Sequence, residues 1–223
     1  PQLALLLSFV RSTPAQSLSD IPVFCDSLFQ IGLNAKQLPG GAVTIVENDR
    51  VLFTKAYGLA DLEKQSAPHI ATTLFQIGSV GKLLTAIAVL QQVEQGRLHL
   101  DNEVRDYLGD FPLDNSFKSK ITLRHLLTHA AGFEDRVIGY AAATKAEQQT
   151  LEAHLRARMP RRFQDSGISI NYSNYSYGLA GLIVEKVSGQ PFIEYVRQHI
   201  LTPLEMHAST YDLPASAEEN PAY

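Results

Sequence analysis

Residues 75–82 read Phe75-Gln76-Ile77-Gly78-Ser79-Val80-Gly81-Lys82, and the apolar run Leu83-Leu84-Thr85-Ala86-Ile87-Ala88-Val89-Leu90 follows at once. The run predicts a core helix, apolar nearly all round, that stops at Gly96. With the helix starting near Ser79, residues three apart share a face, so the Lys82 ammonium reaches the Ser79 hydroxyl. A hydroxyl becomes a useful nucleophile when a neighbouring base takes its proton. A desolvated lysine is one such base, because burial disfavours its charged form. No other serine in the chain has a lysine three residues later. Taken alone, the four-residue pattern is more often a helix start with a solvated lysine.

Tyr172-Ser173-Asn174, in Ile170-Asn171-Tyr172-Ser173-Asn174-Tyr175-Ser176-Tyr177, is the second informative stretch. Of the nine tyrosines, Tyr172 alone has an asparagine two residues on. In a tight turn ahead of a helix, both side chains can enter one cleft. A phenol beside a cation can relay protons, and an asparagine amide offers a donor and an acceptor to a substrate amide. The plainer reading is a helix start capped by Ser173 or Asn174.

These segments together resemble the serine beta-lactamase and penicillin-binding protein superfamily, in its class C beta-lactamase, D-alanyl-D-alanine carboxypeptidase and esterase branch. Phe75 to Lys82 resembles its nucleophile motif and Tyr172-Ser173-Asn174 its second motif. Ile121-Thr122-Leu123-Arg124-His125-Leu126-Leu127-Thr128-His129-Ala130-Ala131-Gly132-Phe133, the stretch from Tyr177 to Gly189, and Pro203-Leu204 with Met206 also resemble family segments, in the family's order. The likeness runs from about residue 20 to 212. It implies an α/β fold of the α+β type, beta-lactamase-like, with an antiparallel sheet flanked by helices and a helical lobe. It implies an acyl-enzyme serine hydrolase in which Ser79, Lys82 and Tyr172 are catalytic and Asn174 binds substrate. The acyl donor would be a small molecule or peptide: a D-amino-acid peptide, a beta-lactam or an ester. The resemblance leaves open whether Lys82 or Tyr172 is the main base. It gives the Ser79 backbone N–H as one oxyanion donor. No cofactor or metal is implied.

The family's third motif, Lys-Thr-Gly or His-x-Gly on a later strand, is not in the sequence, and Gln164-Asp165-Ser166-Gly167 stands where a Pro-Gly pair is usual. We therefore expect a C-terminally truncated catalytic domain over 18–223, with an incomplete sheet. A non-hydrolytic penicillin- or peptidoglycan-binding sensor and an inactive fragment are the alternatives.

Composition agrees with a globular protein: 223 residues, 45% hydrophobic, 19% charged, formal net charge -4. The absence of any basic run argues against nucleic acid. The single Cys25 excludes an internal disulfide and reads as a small buried hydrophobe. Residues 1–17 begin with Pro1 and contain the apolar stretch Leu3 to Val10 ahead of Ala15-Gln16-Ser17. They are expected to be the remnant of a signal peptide. That implies an exported protein, periplasmic or extracellular in a bacterium, and the family resemblance adds an expected association with the cell wall.

Local patterns predict a helix over 18–35, a hairpin of 42–46 and 51–57 turning at Asn48-Asp49, and helices from Thr122 to before Gly132, about 145–158, 175–187 and 191–201. His125 and His129 have zinc-compatible spacing but lack the glutamate of a metalloprotease helix, and are read as core or capping residues. Arg156, Arg158, Arg161 and Arg162 are read as a solvated helix end.

Overall fold

A computed structural model describes residues 20–35, 37–114, 116–135 and 149–211. The expected signal-peptide remnant at 1–17 lies outside the described residues. The chain divides into two compact units, meeting in sequence between Phe75 and Gln76.

The first unit holds helix α1 (Ile21–Asn34) and strands β1 (Gly40–Glu47) and β2 (Arg50–Gly58), paired antiparallel. Asn48 and Asp49 both have positive φ, +48° and +61°. Asparagine and aspartate tolerate this region best among side-chain-bearing residues. A two-residue turn of this kind matches the twist of a hairpin. Glu47 accordingly pairs with Arg50, and a bulge interrupts the register between Ile45 and Val46. A lone hairpin is marginal. This one leans on α1, where Phe29 stacks on Tyr57 at 4.1 Å and Asp26 accepts from Lys55 Nζ at 2.7 Å and Tyr57 OH at 2.8 Å. Cys25 is buried, as expected.

The second unit is helical. A 3₁₀ turn (Gly78–Gly81) runs into α2 (Lys82–Glu94). After it come α3 (Arg105–Leu108), α4 (Leu123–Leu127), α5 (Leu151–Ala157), α6 (Asn174–Ser188) and α7 (Phe192–Val196), the last continued by a wide π turn, Arg197–Leu201. One core joins them, built from Ala88, Val89, Leu98, Leu108, Leu126, Phe133, Leu155, Leu179, Ile183 and Val196 among others. The helices α2 and α6 pack on each other at its centre.

Three expectations need correction. Helix α2 is not buried all round: Leu83 is 62% and Leu90 49% exposed, while Thr85, Ala88, Val89 and Gln92 turn inward. The apolar run hides that two-faced arrangement because both faces carry aliphatic residues. Helix α4 stops after a single turn and a half because His129 takes φ +57° and leaves the helical region. Arg162 is 5% exposed rather than solvated. Its Nε donates to Ala131 O at 3.2 Å and its Nη2 to Ser119 Oγ at 3.1 Å and Ser166 Oγ at 2.9 Å. Its own N–H donates to Asp114 Oδ2 at 2.9 Å. A buried guanidinium is tolerated when its donors are met in this way.

These bonds align two loops, 128–135 and 162–173. Phe133 bridges Arg162, Phe163 N donates to Gly132 O at 3.0 Å, and Gly132 itself has φ +79°. A Cβ at Gly132 would lie 2.4 Å from the Gln164 carbonyl oxygen, whereas one at Gly96 (φ +71°) would meet nothing within 4 Å. Gly96→Ala should therefore cost the backbone penalty alone, about 1 kcal/mol. Gly132→Ala adds a collision with backbone and should cost at least about 2 kcal/mol. Urea unfolding of the two variants checks this, and equal losses would refute the close approach.

Candidate active site

Ser79, Lys82, Tyr172 and Asn174 meet in the second unit. Lys82 Nζ donates to Ser79 Oγ at 3.0 Å and to Asn174 Oδ1 at 2.7 Å, and Ser79 Oγ lies 2.6 Å from Tyr172 Oη. The ammonium also sits 4.9 Å from the centre of the Tyr172 ring and 5.8 Å from that of Tyr177, over faces that attract cations.

Local structure explains each placement. Ser79 lies in the 3₁₀ turn and Lys82 opens α2, so the turn delivers both to one face, as the spacing predicts. Tyr211 OH donates to the Gly81 carbonyl between them. Ser173 has extended backbone and caps α6, its Oγ accepting from Ser176 N at 3.2 Å. Tyr172 precedes the cap and Asn174 is the first helical residue. The cap at Ser173 and the approach of Tyr172 and Asn174 to Lys82 are thus parts of one turn, and the plainer reading of a capped helix start is met by Ser173.

Two site residues escaped the sequence reading. Asp135 accepts the Asn174 backbone N–H at 2.9 Å, with both its oxygens 3.3 Å from Asn174 Nδ2. His129 accepts the Ser173 N–H on Nδ1 at 3.1 Å, and its ring lies 4.4 Å from that of Tyr172 and 5.0 Å from that of Tyr177. Its carbonyl accepts from Asn171 N at 2.8 Å. The imidazole thus supports Tyr172 from behind. The signal for His129 was its place just past a short helix, where a left-handed residue turns the chain back. His125, four residues earlier, closes a capping box with Thr122 instead. Among the described residues no group of three or more His, Cys, Asp or Glu could hold a metal, and no helix is long and apolar enough to cross a membrane.

The hydrogen bond from Lys82, helped by that from Ser79, holds the Tyr172 phenol below its ordinary range. Lysine donates to both Ser79 and Asn174, and an ammonium has no lone pair to offer. In that state Tyr172 Oη is the acceptor placed to receive the Ser79 hydroxyl proton.

Burial, then the Lys82 charge, lowers the His129 pKa from its ordinary 6.5, against the Asp135 charge. A folded imidazole that binds its proton less readily than an unfolded one favours folding above the unfolded value. The contribution drains away as pH falls through the lowered folded value. Acid also removes the Nδ1 lone pair that Ser173 N–H needs. His129→Asn, which suits positive φ, should therefore show a shallower loss of stability between about pH 7 and about pH 5 than wild type. Urea unfolding across that range measures it, and an undiminished slope would exclude His129 as a contributor.

A family model described as Beta-lactamase matches residues 25–223. Protein flp of Staphylococcus aureus (strain MW2) is 28% identical over 187 residues, which are 83% of this chain and 37% of that protein. The structure of a penicillin-binding protein from Bacillus halodurans aligns with TM-score 0.68 and 33% identity, over 84% of this chain and 58% of that one. A class C beta-lactamase in complex with cefoxitin aligns with TM-score 0.73 and 28% identity, over 91% and 55%. The chain spans less than two thirds of the length of each.

Proposed function

Because the chain belongs to the Beta-lactamase family and has its beta-lactamase-like α/β fold, we propose that it carries the nucleophile of a serine hydrolase working through an acyl-enzyme. The observation that carries this reading is the chain of short contacts from Asn174 through Lys82 and Ser79 to Tyr172. A helix start with a solvated lysine has no need of a phenol at 2.6 Å from its serine.

In the proposed reaction Tyr172 reacts as its phenolate, and Ser79 Oγ attacks the acyl carbonyl as its proton passes to Tyr172 Oη. The Oγ–H bond breaks, the Oγ–C bond forms, and the carbonyl electrons move to oxygen. The Ser79 N–H, in the first turn where main-chain donors lack helical partners, serves as one oxyanion donor. Lys82 stays beside the developing charge on Oγ. The carbonyl re-forms as the bond to the leaving group breaks, and that group takes the proton from Tyr172. A water then attacks the ester as its proton passes to Tyr172, and the Oγ–C bond breaks as that proton returns to Ser79 Oγ. Asn174 Nδ2 would orient the substrate amide by exchanging a long bond to Asp135 for one to the substrate.

The substrate class we propose is a D-amino-acid peptide, a beta-lactam or an ester. Its support is the penicillin-binding and cefoxitin-bound relatives. Export to a periplasmic or extracellular site belongs to the same proposal and rests on the apolar stretch Leu3 to Val10.

A fluorescent penicillin and a fluorophosphonate test the reading. Wild type should label and Ser79→Ala should not. Tyr172→Phe should slow labelling by roughly 100-fold or more, the usual contribution of a positioned base. The wild-type rate should fall with acid as the phenolate is protonated, at a pH below the ordinary tyrosine range, and the Phe variant should lose that limb. Failure of every acyl donor to label wild type would overturn the hydrolase reading. A label that forms and is not released would favour the penicillin-binding sensor.

A further inference from the structure

The Asn174 amide stands between two groups of opposite charge. Its Oδ1 is 2.7 Å from Lys82 Nζ, and its Nδ2 is 3.3 Å from each oxygen of Asp135. An ammonium has only protons to give and a carboxylate only lone pairs. One orientation of the amide satisfies both neighbours: oxygen toward the lysine, nitrogen toward the aspartate. Asp135 also takes the Asn174 backbone N–H at 2.9 Å. That N–H opens α6, where an internal partner is lacking and negative charge suits the positive end of the helix dipole. Ser173 Oγ is committed to Ser176 N, so Asp135 grips both the main chain and the side chain of Asn174.

Asp135 is itself held. Glu134 N donates to Arg161 O at 3.0 Å, and Asn171 Nδ2 donates to Phe133 O at 3.0 Å. The two residues before Asp135 are thus tied to both ends of the loop that delivers Tyr172. The carboxylate is exposed, so water can solvate its remaining lone pairs, and its loss leaves no buried group unpaired.

We infer that Asp135 is a positioning residue: by gripping Asn174 it fixes the oxygen that holds Lys82 between Ser79 and Tyr172. Without it the Asn174 amide turns about its broad terminal torsion. Lys82 then loses a fixed acceptor, and its flexible side chain regains rotamers. The kinetic side of this inference rests on the hydrolase reading, and the structural side does not.

The sign of one titration separates positioning from simple electrostatics. Deleting the Asp135 charge by itself would ease ionisation of the Tyr172 phenol, because that charge opposes it. Displacing Lys82 would do the reverse, because the Lys82 bond is the largest influence lowering the phenol. Tyrosines labelled with ¹³C at Cζ, with the Tyr172 signal assigned by its loss in Tyr172→Phe, report that titration by NMR. We expect Asp135→Ala to move it to higher pH and to slow fluorophosphonate labelling of Ser79 roughly 10-fold to 100-fold, as a small misplacement of reacting groups does. Asp135→Asn keeps a carbonyl acceptor for the Asn174 N–H groups and should stay within about threefold of wild type. It also carries the test should the alanine variant fold poorly. In an Asn174→Ala background, Asp135→Ala should add no further slowing and no further upward shift, since its effect passes through Asn174.

A downward or unchanged titration in Asp135→Ala would overturn the inference. So would slowing that survives undiminished in the Asn174→Ala background, or a loss in Asp135→Asn as large as in the alanine variant. If wild type takes no acyl label, the hydrolase reading falls, and the direction of the Tyr172 shift still decides the role of Asp135.

Discussion

A lysine ammonium can only donate, and the site is organised around where the protons of Lys82 go. Two acceptors surround it, Ser79 Oγ from one turn away and Asn174 Oδ1 from the start of a distant helix. That second acceptor is in reach only because α2 and α6 pack against each other. Their facing positions are mostly small or aliphatic: Thr85, Ala88 and Val89 on α2, Leu179, Ala180 and Ile183 on α6. Small residues permit close approach, and burial of the aliphatic ones stabilises it. Toward the other end of α2 the fully buried Gln92 donates to Tyr195 OH at 2.7 Å, which fixes the helix along its axis as well as around it. Core packing is therefore also what sets the reach of the lysine.

The second requirement falls on irregular backbone. Tyr172 must meet Ser79 from a segment with no ladder of its own, so its main-chain groups need partners elsewhere. They are found across the loop pair: Asn171 N on His129 O, Ser173 N on His129 Nδ1, Gly167 N on Ala130 O. His129 and Gly132 adopt left-handed conformations to present those carbonyls, and buried Arg162 satisfies Ala131 O between them. The arginine thus anchors, at a distance, the loop on which the phenol is carried.

This division explains what could be read from the sequence. The two-residue turn at Asn48-Asp49, the helix stop at Gly189, the cap at Ser173 and the approach of Ser79 to Lys82 are short-range matters, decided by residues within one turn of each other. The packing of α2 on α6 is not, and Leu83 and Leu90 looked like core because nothing local distinguishes an aliphatic side chain that is covered from one that is not. The arrival of Tyr172 and Asn174 at the lysine was legible through resemblance rather than through spacing. His129, Asp135 and Arg162 were missed for a common reason. Each acts by bonding to backbone or to a side chain dozens of positions away, and by itself each looks like an ordinary polar residue beside a helix end.

The resulting chain of contacts runs outward from Lys82 in two arms. Lys82 donates to Asn174, whose amide donates to Asp135, and to Ser79, which lies 2.6 Å from Tyr172, and within each arm one bond polarises the next. In the proposed reaction, negative charge grows on Ser79 Oγ at 3.0 Å from an ammonium already in place, so little reorganisation is needed as the proton leaves. Ser79 and Tyr172 are exposed in the free protein, Tyr172 by 44%, and water weakens that attraction before substrate arrives. An acyl donor that covers the serine expels this water and strengthens every charged contact in the chain at once. In the proposed reaction the stabilisation of charge on Ser79 Oγ by Lys82 is therefore weakest in the open site and strongest once substrate covers the serine.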